Sequence, residues 1–155
     1  MALPTLQDDQ IIQAIKTRFE AITAVGGNYH YAYEEVYDNF PTGNAAIPET
    51  LTRVINIRET NEALDGTREQ ANSTLHDIRF TVYIDLIACG YSAAEVRKMK
   101  SDIYKSIGQD LTWGGLAFHT EFINARRNGR DAYDNIISDW TIEIDIIFRK
   151  NAWSL

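Results

Sequence analysis

Two long stretches of the chain alternate apolar and polar residues with a period of two. From Ile136 to Phe148, the residues Ile136, Trp140, Ile142, Ile144, Ile146 and Phe148 alternate with Ile137, Asp139, Thr141, Glu143, Asp145 and Ile147. Only a strand puts those two sets on opposite faces. One face is suited to a core, and the other shows acid and scattered isoleucine to water, to a neighbouring subunit or to both. From His76 to Ala88 the same logic places Ile78, Phe80, Val82, Ile84, Leu86 and Ala88 opposite Arg79, Thr81, Tyr83, Asp85 and Ile87. Such patterning points toward assembly rather than chemistry.

The period changes to that of a helix in two places. Ile11, Ile12, Ile15, Phe19 and Ile22 form one stripe of a helix running from Asp8 or Asp9 to Ala24, with acid at its positive end and Gly26-Gly27 stopping it. Ser92-Ala-Ala-Glu95 reads as a capping box for a second helix, which carries Val96, Met99, Ile103 and Ile107 and is closed by Gly108. Tyrosines at 29, 31, 33 and 37 predict a strand over 29–37, and Val54, Ile55 and Ile57 predict another over 51–59. The polar segment Thr60 to Thr74 reads as a long loop or a mobile hairpin tip, assigned to partner contact. Leu116 to Ala125 reads as a strand, with a short helix as the alternative, and Asn128-Gly129 signals a tight hairpin turn. No repeat or linker divides the chain. The expectation is one α+β domain over 1–155: a largely antiparallel twisted sheet with an N-terminal helix and a second helix packed on it.

A chain of 155 residues buries roughly 70% of its unfolded surface and needs no metal or disulfide staple. Its formal charge of -7 argues against a protein whose work is to grip phosphate backbones. The single cysteine, Cys89, rules out an intramolecular disulfide. No basic start precedes a long apolar stretch, and no apolar run approaches the ~20 residues that cross a bilayer. A soluble, unexported product is expected.

Candidate chemistry is thin. His30, His76 and His119 are scattered, without the spacing that aims two metal ligands from one helix. Asp139, Glu143 and Asp145 share a strand face and read more simply as its solvated side than as an acid–base pair. No nucleophile elbow, phosphate loop or dinucleotide fingerprint is present, so neither an enzyme nor a cofactor is expected. The tyrosine row suits packing or an interface better than base stacking, since basic residues do not interleave with it. Arg126, Arg127 and Arg130 form a compact basic cluster, best matched to an acidic patch on a neighbour. Ile137 and Ile147, with Ile87 and Tyr83, break the polar outer faces and would form an exposed apolar patch unless a partner or a second helix layer covers them.

Several segments resemble the tail terminator proteins of long-tailed bacteriophages. They are IIQAIKTRFEAI at 11–22, HDIRFTVYIDLIA at 76–88, DIYKSIGQDLTWGGLAFHTEF at 102–122 and the closing strand with IIFRKNAW at 146–153. The resemblance implies a subunit of a homo-hexameric ring on the head-proximal end of the tail tube. There the ring halts tube polymerisation and offers a surface to the neck or connector, while DNA passes through without specific binding. The implied location is the virion, after assembly in the host cytoplasm. Such a ring would use two different patches per subunit. Tyr83, Ile87, Arg126, Arg127, Arg130, Ile137 and Ile147 are the expected contact residues, and Asp85, Asp139, Glu143 and Asp145 the expected acidic lumen lining that repels passing DNA. Alternatives are another neck or head–tail joining protein, and a binding module that holds a small ligand on the tyrosine strand.

Overall fold

The computed structural model describes residues 6–39, 51–65, 75–128 and 140–151. In chain order the elements are α1 (Gln7–Glu20), β1 (Glu35–Asp38), β2 (Arg53–Leu64), β3 (Leu75–Ala88), α2 (Ala93–Gly108), β4 (His119–Arg127) and β5 (Trp140–Asn151). The strands form one sheet in the order β1-β2-β3-β5-β4, antiparallel throughout except that β1 runs parallel to β2. The α+β architecture read from the sequence is the one observed.

The alternation in β3 and β5 sets the core. Their register puts Phe80 opposite Ile146, Val82 opposite Ile144 and Ile84 opposite Ile142, all at most 1% exposed. Ile11, Ile15 and Phe19 of α1 and Met99 and Ile103 of α2 complete the same apolar cluster, so both helices cover one face of the sheet. Truncating any of these large side chains to alanine would cost about 2–5 kcal/mol. The Ser92 hydroxyl accepts from the Glu95 amide at 3.2 Å, and α2 starts where the capping box placed it. Helix α1 ends at Glu20 rather than Ala24, because the Thr23 hydroxyl accepts from the Val25 amide and closes a local turn instead.

Four other expectations are corrected. Of the tyrosine stretch only Glu35–Asp38 is strand. The His30 and Tyr31 amides donate to the buried Asp102 carboxylate at 2.8 and 3.0 Å, so a helix side chain takes the bonds that a sheet ladder would have used. The presumed loop from Thr60 begins as strand: β2 continues to Leu64 past a bulge between Glu59 and Asn61, where the Thr60 hydroxyl donates to the Thr81 carbonyl. Residues 66–74 lie outside the described residues. Leu116 to Phe118 belong to a turn rather than to β4. Arg127 pairs with Trp140, so β4 and β5 are joined through 128–139 and not by a two-residue turn at Asn128-Gly129.

The turn before β4 is built on three successive positive φ angles, Trp113 (53°), Gly114 (74°) and Gly115 (87°). Tryptophan resists that region. Its side chain offsets the strain: Trp113 is 1% exposed, its Nε1 donates to Thr120 Oγ1 at 2.8 Å, and the Arg18 guanidinium lies 3.8 Å from its ring centroid.

Candidate functional site

The face of the sheet away from the helices carries most of the residues singled out from sequence. Strand alternation brings Tyr83, Asp85 and Ile87 of β3 to this face, with Glu143, Asp145 and Ile147 of β5 and Arg126 of β4 beside them. Arg58 of β2 lies opposite Tyr83, and Thr141 lies between Asp85 and Arg126.

Two ion-paired networks tie this surface together. Arg58 donates to both oxygens of Asp85, from Nε at 2.5 Å and from Nη2 at 3.0 Å, and the Thr141 hydroxyl donates to Asp85 Oδ1 at 2.8 Å. Arg79 donates from Nη1 to Glu121 at 2.6 Å and to Asp145 at 3.0 Å, and from Nη2 to Asp65 at 3.0 Å. Thr81 supplies Asp145 with a further donor at 2.7 Å. Hydrogen bonds from both guanidiniums to these carboxylates favour their charged forms: the pKa of Arg58 is raised by Asp85, and that of Arg79 by Glu121, Asp145 and Asp65. Tyr83 lies between two cations, with the Arg58 and Arg126 guanidiniums 5.1 and 5.8 Å from its ring centroid.

This geometry changes the expected acidic lining. Asp85 and Asp145 are only 6% and 7% exposed, each held by an arginine and a threonine, and neither presents an open negative charge. Glu143 is half-buried beside them, and Asp139 lies outside the described residues. The apolar patch changes as well. Ile87 is 6% exposed, Tyr83 and Ile147 are partly exposed, and Ile137 lies outside the described residues. Of the basic cluster, Arg126 and Arg127 are exposed and point to opposite faces, one beside Tyr83 and the other toward α2; Arg130 lies outside the described residues.

No protein-family model matches the chain, and no curated protein matches it. Among the described residues no cluster of three His, Cys, Asp or Glu could hold a metal ion, and no helix is long and apolar enough to cross a membrane. His30 Nδ1 lies 2.8 Å from Asp102 Oδ1 on the helix side, while His76 and His119 sit opposite Lys150 and Ile147 on the sheet.

Sequence reasoning missed Arg58 and Arg79, the partners that neutralise the outer carboxylates. A signal existed, since both sit at outer-face positions of alternating strands. It also missed Arg97 and Lys100, which α2 brings beside Arg127 and Trp140. They are distant from Arg127 in sequence, and only the helix–sheet packing brings them near it.

Proposed function

We propose that the chain is a subunit of a structural ring, a tail terminator of a long-tailed bacteriophage. As a homo-hexamer it closes the head-proximal end of the tail tube, stops tube growth and presents a surface to the neck or connector. The observation that best supports this reading is the open sheet. Among the described residues β1 and β4 end it without a further strand neighbour, and β4 carries exposed Phe122 and Ile123, an edge that a soluble protein normally covers. Copies joined side by side through two different patches would cover such edges, and closure into a ring leaves none open. The likeness of the segments at 11–22, 76–88, 102–122 and 146–153 adds the location in the tail.

Any DNA-repelling lining would then draw on Glu143 rather than on Asp85 and Asp145, whose charges are compensated within the subunit. Addition of the purified protein to growing tail tubes, followed by electron microscopy, tests the function. Rings on one tube end and arrested growth are expected. A protein that remains monomeric and leaves tube length unchanged would refute it, and attachment to the neck without effect on tubes would move the chain to another joining role.

A further inference from the structure

The helix-covered side of the molecule has opposite charges at its two margins. At the β4–β5 margin, Tyr91, Ala93, Val96, Arg97, Arg127 and Trp140 line a cleft of about 400 Å³. Lys100 closes over its aromatic wall, with Nζ 3.4 Å from the Trp140 ring centroid. Among the described residues none of Arg97, Lys100 and Arg127 has a carboxylate partner. Burial lowers the pKa of Lys100 and the charge of Arg97 lowers it further, as expected where cations gather without a counter-charge. On α2, Asp102 is held by His30, and the charge of Glu95 in the first turn acts on Tyr31. Farther along this margin Phe122 projects from β4, 60% exposed, against the edge of Tyr104.

The β1–β2 margin is the inverse. Asp38 of β1, Glu59 and Glu62 of β2 and Asp8 of α1 gather there. Burial raises the pKa of Glu59, the Asn39 amide opposes that rise, and the charges of Asp38, Asp8 and Glu62 add to it. Among the described residues only Glu62 of these has a cationic partner, Lys150 at 2.7 Å. Carboxylates crowded at one edge and cations crowded at the other are each relieved by the other's surface.

We propose that the Arg97–Arg127–Trp140 cleft docks the acidic β1–β2 margin of a second copy of this chain, so that copies join head to tail through opposite edges of the sheet. The aromatic wall takes the apolar stems of the acidic side chains, and the guanidiniums take their carboxylates. The contact is heterologous and propagates, as a ring requires. It specifies the interface of the proposed ring and rests on that reading.

The test is analytical ultracentrifugation of the full chain with two paired charge reversals. One is Arg97→Glu with Arg127→Glu, the other Asp38→Lys with Glu59→Lys, with thermal unfolding confirming that each folds. Either pair alone is expected to abolish assembly, and all four in one chain to restore it. Wild-type association is expected to weaken about tenfold or more between about 0.05 M and about 0.5 M salt. If the Arg97→Glu, Arg127→Glu protein assembles like the wild type, this interface is overturned while the ring stands. A wild type that is monomeric in every condition overturns both. Salt-insensitive wild-type assembly overturns the interface even if a reversed chain misfolds. So does unchanged assembly of the Arg97→Glu, Arg127→Glu protein with loss only of duplex DNA binding.

Discussion

Replacing Arg58 by methionine (Arg58→Met) removes the guanidinium and keeps much of its apolar stem. The Asp85 side chain is 8% exposed, and in the variant the described donor that remains to it is Thr141. Breaking a fully buried pair from one side costs about 3–5 kcal/mol, because the other charge stays buried and uncompensated. Arg58 is itself 31% exposed, so water already screens part of the interaction, and we expect the lower figure of about 2–3 kcal/mol. For a chain of this size that loss lowers Tm by about 4–12 °C. Urea unfolding followed by tryptophan fluorescence, at one fixed protein concentration, measures it directly. The double variant Arg58→Met, Asp85→Leu removes both charges, and we expect it to recover most of the loss. A single variant within about 0.5 kcal/mol of wild type would refute the assignment of the outer face as a stabilising ion-paired layer. A double variant no better than the single one would show that the cost lies in packing around Tyr83 instead.

Two further outcomes follow from the helix side. Asp102→Ala leaves the His30 and Tyr31 amides without their acceptor and is expected to cost about 2–3 kcal/mol and to speed their hydrogen exchange about tenfold or more; unchanged protection would show that Asp102 does not pin this segment. Asp110 accepts from the Thr112 hydroxyl and from the Gly114 and Thr112 amides, which hold its pKa down to about 2. Because the folded value lies below the unfolded one, its stabilisation is present above about pH 4 and is lost as the pH falls through about 2. Urea midpoints of the wild type should therefore fall more steeply across that window than those of Asp110→Asn, and parallel curves would remove Asp110 as the cause.

What could be read from the sequence was whatever a single element's own period determines. β3, β5 and both helices have one apolar face each, so residues such as Phe80, Ile144, Phe19 and Met99 could be placed in the core before any contact was known. The segment at 29–33 could not be read that way. Its alternating tyrosines fit a strand, yet the partner of its amides, Asp102, lies about 70 residues away on α2. The same limit explains the acidic face. Asp85 and Asp145 looked open because Arg58 and Arg79 become their neighbours only through strand register. The cleft beside Trp140 takes residues from α2, β4 and β5; in the linear chain Val96 and Trp140 read as core positions, and of its lining only Arg127 read as a contact residue.

The two bulges lie on either side of the same row. β2 bulges just after Glu59, which pairs with Val82, and β4 bulges just after Phe122, which pairs with Ile144, itself Val82's partner. Each bulge adds one residue, Thr60 or Ile123, without moving any flanking side chain to the other face. Deleting either residue would leave the inside and outside of the sheet as they are and flatten only the bend of that wing. Curvature in this protein can thus evolve by single-codon loss, apart from the residues that make it fold.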